Sequence, residues 1–257
     1  MALSYNTKGK GEAVLWIHGF GFDGTAWDGY ADSFADNYLN IIVDLPGFGK
    51  SENYQTPTSI DEMAKAVKAV LDKEGIQKVN VVGHSMGGYI ALALITLYPG
   101  LVTRLVMFHS QPFADDSIKK AARKKVIDFI EKNGLETWMK EFYPALFAEK
   151  NQKALAKVVE KFYNQGKQFK QVSVVNATWA MINRPDRSSV LEKYTGPVLF
   201  IVGNEDKAIP TDNSLDQLSL PDTSFAEMLD GVAHMGIFES PKETKRAIEE
   251  LLDYPIS

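Results

Sequence analysis

Gly83-His84-Ser85-Met86-Gly87 is the part of this chain best suited to chemistry. A serine with glycine two residues away on each side fits a turn so tight that side chains at 83 and 87 would strike neighbouring backbone. The glycines remove the clash and leave Ser85 at the tip. Such a turn needs a strand before it and a helix behind it. Val79-Asn80-Val81-Val82 supplies the strand, and Gly88-Tyr89-Ile90-Ala91-Leu92-Ala93-Leu94 opens the helix. The Met86 amide then lies at a helix N-terminus, where the dipole favours negative charge. A chance Gly/Ser turn is the bland alternative, and the flanking elements argue against it.

A serine hydroxyl is a poor nucleophile at neutral pH. It needs a base, and the base needs an orienting acid. The chain has four histidines: His18, His84, His109 and His234. The order expected after this turn is Ser, then Asp or Glu, then His, and only His234 comes late enough. The acid should leave the end of an earlier strand. Val198–Val202 runs into Gly203-Asn204-Glu205-Asp206, and Asp206 is the choice, with its neighbour Glu205 as the alternative. His18-Gly19-Phe20-Gly21 follows another strand, Ala13–Ile17. There the Phe20 amide would join the Met86 amide as an oxyanion donor, each worth roughly 2.7–4 kcal/mol of barrier. His18 itself reads as a loop-stabilising residue. His109-Ser110 reads as a strand-end polar pair, since adjacent side chains point apart.

These residues need a frame. Short apolar runs predict strands at 13–18, 39–43, 78–82, 104–108, 198–202 and 225–229. Nearly continuous apolar strands imply cover on both faces. Helical patterns alternate with them. Ser59-x-x-Glu62 opens one over 59–74 with a capping box, and Gly75 stops it. Ser240-Pro241-x-Glu243 opens another over 240–253. This alternation implies an α/β fold with a parallel sheet.

From 111 to 187 the alternation stops. Four helices are predicted, over 115–133, 134–147, 151–165 and 169–183, the first with Ile118, Ala122, Val126, Phe129 and Ile130 on its apolar side. The segment carries 15 Lys+Arg and 9 Asp+Glu, a net of +6, against −11 for the remainder. We therefore expect a core in two parts, 1–110 and 188–257, with a helical cap inserted at 111–187. Phe113, Trp138, Trp179 and Met181 are the candidate substrate-binding residues. The run Lys119, Lys120, Arg123, Lys124, Lys125 reads as a solvated helix face, with steering of an anionic substrate as the alternative.

Composition limits the rest. At 257 residues, 45% apolar and 24% charged, the chain can bury its own core. The absence of cysteine excludes disulfides, thiolate metal sites and a cysteine nucleophile. A net charge of −5 argues against nucleic acid as partner. No apolar run is long enough to span a membrane, and the polar N-terminus lacks a signal-peptide core, so a cytoplasmic protein is expected.

Together, His18-Gly19-Phe20-Gly21, Asp44–Ser51, Gly83–Gly88, Gly203–Asp206 with Pro210, and Gly231–His234 resemble the serine hydrolases of the α/β-hydrolase fold superfamily, over nearly the whole chain. The resemblance implies a mostly parallel eight-stranded sheet with a helical cap. It implies catalysis by Ser85, Asp206 and His234 on a small ester, lactone or thioester, without metal or organic cofactor. Serine at position 85 sets the chain apart from the dehalogenases and epoxide hydrolases of this fold, which carry aspartate there. Small esterases, enol-lactonases and C–C bond hydrolases are resembled about equally. A small-molecule receptor or a lyase that keeps the same three residues is the alternative. The expected assembly is a monomer or homodimer, and the glycines of Asp44–Ser51 are expected to serve turns.

Overall fold

The computed structural model describes residues 2–53 and 58–256, the side chains of 212 and 213 excepted. Seven strands form one sheet: β1 Tyr5–Lys8, β2 Glu12–Ile17, β3 Tyr38–Val43, β4 Val79–His84, β5 Val102–Phe108, β6 Val198–Gly203 and β7 Ser224–Leu229. Their spatial order is β1-β3-β2-β4-β5-β6-β7. All neighbours run parallel except β1, which pairs antiparallel with β3 at the edge.

The six strands expected from apolar runs are all present. β1 is additional. Its sequence, Tyr-Asn-Thr-Lys, has no apolar run because three of its four residues face solvent. The eight strands implied by resemblance become seven among the described residues. Among the described residues β1 precedes β2, and the chain between β2 and β3 winds into two 3-10 turns, Gly24–Trp27 and Ala31–Phe34.

Period-2 alternation sorts the strand side chains onto two faces. Leu15, Ile17, Val81, Leu105, Met107 and Phe200 lie in a core layer with α1 (Ile60–Lys73) and α2 (Met86–Leu97). Val14, Trp16, Val82, Val106, Phe108 and Ile201 point the other way, into a layer with Trp27 and the terminal helix. Each fully buried aliphatic side chain contributes on the order of 1.5–3 kcal/mol. The cap of α1 is as expected, with Ser59 Oγ accepting from the Glu62 amide at 3.1 Å.

Between β5 and β6 every regular element is helical: α3 Ser117–Asn133, α4 Leu135–Ala145, the single turn α5 Glu149–Gln152, α6 Ala156–Gly166, α7 Gln171–Ile182 and the short α8 Ser188–Lys193. The short α9 (Thr211–Asp216), α10 (Gly236–Glu239) and the terminal α11 (Pro241–Leu252) complete the chain. At α11 the expected box differs in detail: Ser240 Oγ donates to the Glu243 carboxylate at 2.7 Å instead of capping an amide. The apolar side expected for α3 is also rotated. Ile118 is 78% exposed, and the helix buries Ile127 and Ile130. No helix among the described residues is long and apolar enough to cross a membrane.

The chain passes from β2 outward to β3, then returns to the far side of β2 as β4. The carboxyl ends of β2 and β4 therefore flank a crevice where the winding direction reverses, the usual ligand position in such sheets.

Candidate active site

The loop after β4 is the sharp turn that the glycines require. Ser85 adopts φ 51°, ψ −114°, a left-handed conformation strained for a residue with a Cβ. A Cβ on Gly83 would lie 2.7 Å from the Gly87 carbonyl carbon. A Cβ on Gly87 would overlap the Ile17 carbonyl oxygen, and one on Gly88 would overlap Ser110. Backbone bonds pin the turn: the Ser85 amide donates to Phe108 O at 2.9 Å, and Ser110 Oγ donates to Ser85 O at 2.7 Å.

Asp206 lies beyond β6, buried, while Glu205 beside it is exposed. Asp206 Oδ1 accepts from the Ala208 and Ile209 amides at 2.8 and 2.9 Å, which fixes its orientation. Its Oδ2 lies 2.7 Å from His234 Nδ1. Burial alone would raise the Asp206 carboxyl, but its interactions with His234 and with nearby His109 outweigh it and hold the group well below the usual carboxylate range. The His234 loop is strapped on both sides. Glu239 Oε1 accepts from the Ala233 and Met235 amides, and the His234 amide donates to Leu146 O of the helical segment at 2.9 Å. His84 Nε2 lies 3.0 Å from His234 O, and burial keeps His84 neutral by pulling its pKa well down.

Phe20, Ser85 and His234 line one cavity of about 90 Å³. Phe20 stands at the corner of a turn closed by Phe22 N to Gly19 O at 3.3 Å. Met86 starts α2, so its amide is one of the helix's orphan donors. His18 bridges backbone groups, with Nε2 accepting from the Leu45 amide at 2.9 Å, as a loop-stabilising residue would. Asp44 accepts from the Gly24 and Lys50 amides, so the Asp44–Ser51 segment serves its turns.

The four expected substrate-binding residues fare differently. Met181 lines the cavity. Phe113 lines a separate surface depression with Asp116 and Asp216. Trp138 stacks on Phe142, centroids 4.3 Å apart, and so stands behind the wall that Phe142 forms. Trp179 is half-buried on α7 away from the lining. On a helix only one face meets the cavity, and aromatic type does not say which. Phe142, Tyr89, Leu146, Ile209 and Arg123 are among the other wall residues; Phe142 and Arg123 stood within the aromatic and basic patterns of the segment, without a signal to single them out.

His109-Ser110 is more than a strand-end pair. The two side chains do point apart, yet each reaches the site. Ser110 holds the Ser85 carbonyl, and His109 Nδ1 lies 3.3 Å from Asp206 Oδ2. His109 Nε2 accepts from the Gly236 amide at 3.2 Å, which places its proton on Nδ1, toward Asp206. His109 also has positive φ, 46°. Non-glycine residues in that region cluster at functional sites. His109, Asp206 and His234 are also the one trio of potential metal ligands among the described residues. Their principal bonds, the 2.7 Å His234–Asp206 contact and the two amides on Oδ1, make a hydrogen-bonded network.

A family model described as alpha/beta hydrolase fold matches residues 12–241. Among solved structures, a thermophilic esterase from Thermogutta terrifontis with malate bound is 26% identical, with a TM-score of 0.91 over 97% of this chain and 92% of that one. Among curated proteins, a 2-hydroxy-6-oxononadienedioate/2-hydroxy-6-oxononatrienedioate hydrolase from Pseudomonas sp. is 26% identical over 87% of this chain and 82% of its own length. A 112-residue stretch is 40% identical to the dihydrolipoyllysine-residue acetyltransferase component of the acetoin cleaving system of Cupriavidus necator, and covers 43% of this chain and 30% of that protein. The chain thus spans less than a third of that relative's length.

Proposed function

The chain belongs to the alpha/beta hydrolase fold family, and on that footing we propose that it is a serine hydrolase of small carboxylic esters, with residues 111–187 as its cap. Ser85 Oγ attacks the ester carbonyl carbon. His234 takes the hydroxyl proton and passes it to the departing alkoxide, which leaves as an alcohol. Asp206 holds His234 in the tautomer with its proton on Nδ1 and stabilises the imidazolium. The Phe20 and Met86 amides donate to the oxyanion. Water, deprotonated by His234, then attacks the acyl-Ser85 carbonyl, and the acid leaves as Ser85 regains its proton. The observation that carries this reading is the 2.7 Å contact of His234 Nδ1 with Asp206, with His234 lining the same cavity as Ser85.

A second reading is C–C bond hydrolysis by the same residues. The Pseudomonas relative, named as a hydrolase of a dioate, favours it. Turnover of p-nitrophenyl acetate and butyrate by the wild type and by Ser85→Ala tests the first reading. A loss of about 10⁴–10⁶-fold in the variant is expected. Equal turnover by both proteins would refute it, and no ester turnover despite modification of Ser85 would shift the reading to C–C cleavage.

A further inference from the structure

We propose that Arg123 makes the Ser85 cavity an anion-binding pocket, selecting esters or lactones that carry a carboxylate a few bonds from the scissile carbonyl. The proposal rests on the reading of Ser85 as nucleophile.

The basic run on α3 divides once folded. Lys120, Lys124 and Lys125 face solvent, while Lys119 and Arg123, one helical turn apart, turn inward. Arg123 lines the cavity that Ser85 and His234 share. The rest of that wall is largely apolar: Phe20, Phe142, Leu146, Met181 and Ile209. A guanidinium placed there loses water on one side and needs a partner.

Arg123 is held by one edge. Its Nε lies 2.6 Å from Asp115 Oδ2. Among the described residues its Nη1 meets only Met181 Sδ, at 3.4 Å, and a thioether is a weak acceptor. Asp115 is not a full counter-charge, because it is shared. Arg184 Nη2 lies 2.8 Å from its other oxygen. Arg184 is occupied elsewhere, donating to the Met181 and Phe113 carbonyls and lying 4.1 Å over the Tyr89 ring. Two guanidiniums thus meet one carboxylate. Lys119 adds a third cation nearby, its Nζ donating at 2.6 Å to the carbonyl of Ala208, itself a cavity residue. Burial opposes the charge on Asp115, yet Arg184 and Arg123 hold its carboxyl below the ordinary range, so Asp115 keeps its charge.

The pairing orients Arg123 and leaves its remaining donors for a ligand. A planar guanidinium matches a carboxylate in two parallel hydrogen bonds. A cavity of about 90 Å³ is small for a ligand pocket, so the anion must lie close to the bond attacked. A purely structural role, tying α3 to the Asp115 loop, is the competing account. It would use the Nε contact and make no use of the two Nη groups.

Monomethyl succinate and dimethyl succinate share one carbon skeleton and differ in one charge. We expect Arg123→Gln to raise KM for monomethyl succinate roughly 10–100-fold, the effect of losing hydrogen bonds to a charged group. Dimethyl succinate should stay within about threefold. Arg123→Lys should recover part of the loss, and Lys124→Gln, exposed on the same helix, should change neither ester. Equal loss on both esters, or none on either, would overturn the proposal. Succinate binding to Ser85→Ala protein separates the two readings, because it needs no turnover. Binding abolished by adding Arg123→Gln supports the pocket even if ester hydrolysis fails. No succinate binding to Ser85→Ala overturns the pocket and leaves the nucleophile reading standing.

Discussion

The strand ends and the helices between β5 and β6 solve different problems by different means. At the strand ends, backbone does the positioning. Ser85 is held by the Phe108 carbonyl and by Ser110, and Asp206 by two amides. Glycines at 83, 87 and 88 admit backbone or side chain where a Cβ would overlap it. In the helical segment, side chains do the work. Of the 17 residues of α3, only Ile127 and Ile130 are buried, and its cavity contact is made by Arg123. The contrast teaches where tolerance lies. A frame built from backbone contacts cannot shift one atom without moving its neighbours, whereas a wall of side chains can be rebuilt for another substrate.

Mutation should separate the two regions. After Ser85→Ala, the largest effect should come from Asp206→Asn, which allows the wrong His234 tautomer. The expected loss in kcat is about 10⁴-fold with the fold intact. A loss under tenfold would remove Asp206 from the reaction. Next is His109. His109→Leu removes the second histidine from Asp206, and kcat should fall roughly 10–100-fold with KM unchanged, the scale of a small misplacement. His109→Asn, which keeps a donor, should recover part of it. A change confined to KM would assign His109 to substrate contact instead. Gly87→Ala drives a Cβ into the Ile17 carbonyl and should destabilise the protein by about 1–3 kcal/mol in urea unfolding. Unchanged stability would show that the elbow is not rigid. At the small end, Phe142→Ala in the helical wall should alter KM by less than about tenfold and leave kcat nearly intact. A loss as large as that of Asp206→Asn would erase the distinction between the two regions.

Acid should act on the strand-end region. His18, His84 and His109 are buried, and burial lowers the pKa of each below the ordinary 6.5. Below that pH the unfolded chain takes up protons that the folded one refuses. Stability therefore falls as pH drops from 6.5, by about 1.4 kcal/mol per unit for each histidine that stays neutral. Asp206 does not offset this loss. Its depressed pKa contributes stability that is complete above its unfolded value of 3.8 and is lost only below it. Tm measured at pH 7.5, 6.5 and 5.5 should decline, and less steeply in His109→Leu. A flat profile would contradict the buried, neutral state of these histidines.

The same division decides what can be read from sequence. Ser85, Asp206 and His234 follow strands and obey an order, so glycine spacing and strand ends lead to them. The helical segment announces itself through the missing strands and its charge of +6. Its lining does not. Trp138 and Phe142 lie one helical turn apart and both pack on Phe20, far away in sequence, yet of the two only Phe142 lines the cavity. Arg123 is one basic residue in a run of five until Asp115 draws it inward. His109 looks like a polar strand end until β6 brings Asp206 beside it. β1, short and exposed, has no apolar signal at all.

Covalent labelling reads the nucleophile itself. A fluorophosphonate incubated with the protein should add once, and peptide mapping should place the adduct on Ser85. Labelling should vanish in Ser85→Ala and slow sharply in His234→Ala. An adduct on another residue, or none at all from a protein that still hydrolyses esters, would show that Ser85 is not the nucleophile.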